Sequence, residues 1–256
     1  MTPKERLQSS SPAPVASPAD ARERLIVALD FPSSHEALDL VDRLDGACRW
    51  FKVGLELYLT AGNSIVGTLK DRGFSVFLDL KLHDIPNTVA SAVRSVAGLG
   101  AGLLTVHASG GPVMLKAACE SAAAVEHGPT LLGVTVLTSM DGDQLHCVGV
   151  TGTPASQVLR LARMARASGI QGLVCSPEEV GELRQALGTQ AILVTPGIRP
   201  AGSSAGDQKR IATPAAAIEA GASYLVVGRP ITQAADPAIA ARSILDEIVQ
   251  ASQHGS

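Results

Sequence analysis

The stretch FLDLKLHDIPNT (77–88) sets Asp79, Lys81 and Asp84 within six positions, at the end of an otherwise apolar run. Two more charges sit in similar places. Asp30 closes LIVALD (25–30), and Lys52 lies inside WFKVGLE (50–56). A charge on a core strand is costly unless it is paired. Two lysines and two aspartates on three consecutive runs therefore read as one network of alternating sign. Flanking carboxylates favour the charged form of Lys81. A fixed, protonated lysine suits two jobs: stabilising a developing carbanion and delivering a proton to it. Asp84 lies past the run, where Asp and Asn favour turns and helix starts. The residues alone do not bring it to the site of Lys81.

A second cluster lies towards the C-terminus. VVGRPI (226–231) places Gly228 and Arg229 at the end of the last apolar run, and TPGIRPAGSSAGDQKR (195–210) follows the run before it. Glycine lets backbone N–H groups approach an anion closely, and arginine adds a fork of charged donors. That pairing points to a phosphate. The small residues of 201–208 read as a lid, with Gln208 placed to contact a ligand as it closes. Thr138 and Ser139, in VTVLTSM (134–140), offer hydroxyls to a polar ring, or equally form a cap or a turn. His107, in TVHASGG, reads as structural or as a support behind the site. No His, Asp and Glu cluster has the spacing of a metal site, so no metal is expected.

These residues need elements to hold them. Eight short apolar runs recur: LIVALD, WFKVGLE, SVFLDLK (75–81), LLTVHA (103–108), TLLGVTVL (130–137), GLVCS (172–176), AILVTPG (191–197) and YLVVGR (224–229). Segments with helical spacing separate them, such as HEALDLVDRLDGA (35–47), TVASAVRSVAGLGA (88–101) and PASQVLRLARMARASG (154–169). Strands alternating with helices imply parallel strands and right-handed crossovers. Eight evenly spaced units predict an α/β fold, a (β/α)8 TIM barrel. A doubly wound open sheet is the alternative, but no GxGxxG follows the first run.

Alternate residues of a strand share a face. Leu25, Val27 and Leu29 oppose Ile26, Ala28 and Asp30. Phe51, Val53 and Leu55 oppose Trp50, Lys52, Gly54 and Glu56. Val76, Leu78 and Leu80 oppose Phe77, Asp79 and Lys81. One face of each strand is wholly apolar and suits the helix ring. The other turns polar at its C-terminal end, the end where such barrels carry their active sites.

The predicted organisation is a flexible tail over 1–23, one barrel domain over 24–250 and a loose end over 251–256. No apolar run approaches the roughly 20 residues that span a bilayer. A net charge of -3 and no basic stripe argue against nucleic acid as a partner. The four cysteines are scattered, with no CxxC, as free thiols of a reducing cytoplasm.

DLKLHDIPNT resembles the Asp-x-Lys-x-x-Asp signature of the orotidine 5'-phosphate decarboxylases, which catalyse the last step of UMP synthesis. VALD, KVG, LTS, TPGIR and VVGR extend the resemblance over 25–249, and HDIPNT is similar to the bacterial type. The resemblance implies a metal- and cofactor-independent decarboxylation of orotidine 5'-monophosphate to UMP and carbon dioxide. Lys81 would stand beside C6 and protonate it. Asp79 would meet the substrate carboxylate and hold Lys81, and Lys52 would complete the network and contact the ribose. Asp30 would bind a ribose hydroxyl. Asp84 and Thr88 would reach the neighbouring subunit's site, which implies a homodimer with shared active sites. Thr138, Ser139 and the Pro196 backbone would read the pyrimidine, and Gln208 would bridge base and phosphate. Arg199, Gly228 and Arg229 would hold the 5'-phosphate.

Two other readings stand beside it. One is a magnesium-dependent sugar-phosphate decarboxylase or aldolase of the same barrel group, working through a metal-bound enediolate; the LTS stretch and Gln208 argue against it. The other is a non-catalytic phosphate-binding barrel, which leaves the charge network without a purpose.

Overall fold

A computed structural model describes residues 20–200 and 211–254. The tail up to residue 19, the 201–208 stretch and Gln208 lie outside the described residues. Eight parallel strands close in sequence order: β1 (Leu25–Ala28), β2 (Trp50–Gly54), β3 (Ser75–Leu82), β4 (Leu103–His107), β5 (Thr130–Val134), β6 (Gly172–Val174), β7 (Ile192–Thr195) and β8 (Tyr224–Val227). β8 pairs with β1 and completes the barrel. The expected (β/α)8 architecture is the observed one.

The alternation sorts the side chains as the sequence predicts. Ile26, Ala28, Phe77, Leu103, Leu132, Ile192, Val194, Tyr224 and Val226 cluster inside the barrel. Leu25, Val27, Phe51, Val53, Val76 and Leu78 join the larger core between barrel and helices. Burying each large aliphatic or aromatic side chain is worth about 1.5–3 kcal/mol, so this double-sided burial is the main force closing the sheet. Trp50 and Tyr224 meet edge to face at 5.7 Å at the N-terminal ends of their strands. The Trp50 indole donates to Glu23.

Several boundaries differ from the sequence expectation. β1 stops at Ala28, so Asp30 stands in the following loop. β5 stops at Val134, so Thr138 and Ser139 belong to the loop beyond it. Leu55 does not extend the apolar face of β2. It opens the helix Leu55–Ala61 and is 50% exposed, because the extended chain ends at Gly54, the residue before that helix. Regular structure also reaches into both expected loose ends. Asp20 caps a short helix, Ala21–Arg24, and the last helix runs Pro237–His254. Arg24 ties the two together. It donates to the carbonyls of Ala222 and Ser223 and to the hydroxyl of Ser252.

One irregularity bears on the site. β3 pairs with β4 at Leu78–Leu104 and next at Leu82–Val106. Four steps on β3 thus match two on β4, a bulge of two extra residues. Within it, Lys81 has φ +49°, in the left-handed region that side chains other than glycine rarely adopt. Lys81 reaches the barrel interior, as expected, but through this bulge and not through the simple pleat.

Candidate active site

The C-terminal mouth of the barrel holds a cavity of about 610 Å³. Asp30, Lys52, Asp79, Lys81, Thr138, Pro196, Arg199, Gly228 and Arg229 all line it. Ser139 is exposed on the neighbouring loop and is not in that lining. Asp84 and Thr88 are exposed and lie outside the cavity of their own chain. Asp84 makes a local contact just before the helix Pro86–Ala97, its carboxylate accepting from the Ile85 N–H at 2.6 Å.

The four charges form one chain of contacts. Lys52 Nζ lies 2.8 Å from Asp30 Oδ1 and 3.8 Å from Asp79 Oδ2. Lys81 Nζ donates to both Asp79 oxygens at 2.8 Å. Exposure separates the members: the side chains of Lys52 and Asp79 are 11% and 13% exposed, those of Lys81 and Asp30 33% and 62%. The middle pair is the desolvated one. Removing one partner of such a pair strands the other charge, a cost of about 3–5 kcal/mol. Each end of the chain therefore holds a charge towards the cavity while its inner partner fixes its position.

The backbone makes room for this network. A Cβ at Gly54 would stand 2.9 Å from Lys52 Nζ and 3.4 Å from Asp30 Oδ1. Glycine at that point of β2 lets the lysine fold back over its own strand end towards Asp30.

Two guanidinium groups converge elsewhere in the cavity. Arg199 is 8% exposed, and its Nη1 donates to the carbonyl of Ile198. Burial first, and the nearby Arg229 charge second, push the Arg199 pKa down. Two like charges held together favour an anion between them. Arg229 begins the helix Arg229–Thr232 directly after Gly228.

Sequence reasoning missed several residues. Phe31, Thr232 and Gln233 also line the cavity. Their signal was position, directly after VALD and after VVGRP. Thr105, fully buried on β4, was missed too. Its hydroxyl accepts from the Lys81 backbone N–H at 2.8 Å and lies 3.1 Å from Asp79 Oδ1. His107 does not line the cavity, and its ring lies 5.3 Å from that of His83. Among the described residues, no three His, Cys, Asp or Glu side chains gather as a metal site.

Comparison with known proteins gives a consistent result. The model of the orotidine 5'-phosphate decarboxylase / HUMPS family matches residues 23–244. The orotidine 5'-phosphate decarboxylase of Halorhodospira halophila is 54% identical over 228 residues, covering 89% of this chain and 97% of the relative. That of Mannheimia succiniciproducens is 53% identical over 222 residues, covering 86% and 95%. Among solved structures, orotidine 5'-phosphate decarboxylase from Lactobacillus acidophilus superposes with a TM-score of 0.80 at 41% identity. That match covers 88% of this chain and 99% of the other.

Proposed function

The chain belongs to the orotidine 5'-phosphate decarboxylase / HUMPS family, and from that premise we propose how the mouth of its barrel works. The reaction is the decarboxylation of orotidine 5'-phosphate to UMP and carbon dioxide. The family description joins two groups of enzymes. Relatives about half identical over nearly their whole length, all named as the nucleotide decarboxylase, carry the distinction.

Loss of carbon dioxide from C6 leaves an electron pair in the plane of the pyrimidine, where the ring π-system cannot spread it. Fixed charge beside C6 must then lower the barrier. The observation that supports a role for Lys81 is its ammonium, held by both oxygens of Asp79 and facing the cavity. In this reading Lys81 stabilises the carbanion and then protonates it. Asp79 orients Lys81 and meets the departing carboxylate. Lys52 and Asp30 complete the network, with Lys52 against the ribose and Asp30 on a ribose hydroxyl. Thr138, Ser139 and the Pro196 backbone read the base. Arg199, Gly228 and Arg229 take the phosphate, and Gln208 bridges phosphate and base. Binding energy from the remote phosphate fixes the reacting carbon against Lys81.

The active unit is a homodimer in this reading. Asp84 and Thr88 are exposed outside the cavity of their own chain, and large exposed apolar residues follow the same ends of neighbouring strands. Leu59, Ile85 and Val113 are 79%, 67% and 69% exposed, each soon after the C-terminal end of β2, β3 or β4. A second copy covering that rim would bury them and bring Asp84 and Thr88 to its own cavity. A reducing cytoplasm suits the four free thiols.

Following the loss of orotate absorbance on incubation with orotidine 5'-phosphate, with and without EDTA, tests the reading. Turnover is expected in both. No turnover in either would sink it, and magnesium-dependent turnover of a sugar phosphate lacking a base would favour the metal-dependent sugar-phosphate reading. Lys81→Ala is expected to bind UMP within about threefold of the parent and to lose all measurable turnover, because only the group beside C6 has gone. Near-normal turnover in that variant would refute the role given to Lys81.

A further inference from the structure

We propose that Thr105 is a positioning residue of the decarboxylation, the latch that holds Lys81 in its strained backbone state and aims its ammonium through Asp79. The inference rests on the reading of Lys81 as the group beside C6. Thr105 is the single β4 residue between the pairs Leu78–Leu104 and Leu82–Val106, so it alone faces the three bulged residues Asp79, Leu80 and Lys81. The bulge interrupts the backbone ladder at that point. The Thr105 hydroxyl takes over as acceptor for the Lys81 N–H at 2.8 Å, and it donates to Asp79 Oδ1 at 3.1 Å. One hydroxyl has one proton to give and lone pairs to accept with, so the two contacts use it in both senses.

Three features make this contact decisive. Thr105 is fully buried, so water does not replace a lost hydroxyl. Its β-branched side chain has few χ1 choices, which fixes where the oxygen points. Lys81 sits at φ +49°, a state that persists only where the surroundings over-determine it. Without the hydroxyl, the Lys81 N–H loses its acceptor and one Asp79 oxygen loses a donor. Both losses favour relaxation of the bulge and withdrawal of the ammonium from its place at the cavity. Thr105 does not line the cavity, so its substitution removes no direct contact with the substrate.

The test compares Thr105→Val, which keeps the shape and removes the hydroxyl, with Thr105→Ser, which keeps the hydroxyl. Thr105→Val is expected to lower kcat for orotidine 5'-phosphate by about 10- to 100-fold, the scale of one buried, charge-assisted hydrogen bond. UMP affinity should stay within about threefold, and Thr105→Ser should recover kcat to within about threefold of the parent. A Thr105→Val kcat within threefold of the parent overturns the proposal. So does an equal loss in Thr105→Ser, or a loss that appears only in UMP binding. If Thr105→Val does not fold, Thr105→Cys takes its place, with similar volume and a much weaker donor and acceptor, and the same outcomes apply. A crystal structure of the variant reads the latch whatever the parent catalyses. Lys81 still at positive φ with Nζ on both Asp79 oxygens overturns the proposal, and a relaxed bulge supports it. Absent turnover in the parent would count against the decarboxylase reading and not against the latch.

Discussion

His107 ends β4 beside the charge network, half-buried against His83. Burial lowers its pKa first, the charges of His83 and Lys81 add to this, and Asp79 opposes it. The folded protein therefore prefers the neutral imidazole. In the unfolded chain a histidine takes up a proton near pH 6.5. The contribution of His107 is complete above that pH and is lost as pH falls towards its lowered folded value. The melting temperature should fall more steeply between pH 7 and pH 5 in the parent than in His107→Gln; parallel curves would show that another group sets the slope. The sequence marks His107 as structural or supporting because it ends an apolar strand, and the residue stays out of the cavity lining. The four charges Asp30, Lys52, Asp79 and Lys81 were legible because charged residues stand out against a period-two apolar pattern. Thr105 gave no such signal. Threonine is an ordinary strand residue, and its partners come from a bulge across the sheet that no local pattern reports.

The bulge in β3 shows what single-strand reasoning leaves out. Glycine usually marks a left-handed position, and here a lysine occupies it. Strand ends were overextended for a related reason. Polar residues such as Asp30 and Thr138 carry on the run of the sequence, while the hydrogen-bonded ladder has already stopped and the loops have splayed towards the cavity. At the opposite end of the barrel, the helix Ala21–Arg24 is short, and helices of that length do not hold alone. Arg24 fastens it to the start of β8 and to the last helix through Ala222, Ser223 and Ser252. Arg24→Ala should cost roughly 1–3 kcal/mol from the lost hydrogen bonds. That corresponds to a fall in Tm of about 3–10 °C for a chain of this size. Since the clasp is at the far end from the cavity, kcat should not change. An unchanged Tm would show that the clasp adds nothing, and a fall in kcat would show that the two ends of the barrel are coupled.

At the scale of the whole molecule, the proposed shared sites make a quantitative prediction. In a dimer whose cavity takes Lys81 from one subunit and Asp84 from the other, mixing Lys81→Ala with Asp84→Asn chains leaves each mixed dimer with one intact site. Random exchange makes half of the dimers mixed, so about one quarter of parental activity should return from two crippled parents. If mixing restores nothing after subunit exchange, each chain works alone. The uneven exposure of the charge network has one more consequence, in the traffic of protons with solvent. The network begins neutral, two lysines against two aspartates, and a Lys81 that has protonated C6 leaves it at one negative charge. The side chains of Lys52 and Asp79 are mostly buried, whereas that of Lys81 is one-third exposed. With Lys81 as the proposed donor, the same residue is also the place where the enzyme recharges, and every turnover draws one hydron from the medium. Run in D2O, the reaction should give UMP with deuterium at C6 in every molecule, which proton NMR reads as loss of the C6 signal; protium retained there would mean that the donor does not exchange with solvent and is not Lys81.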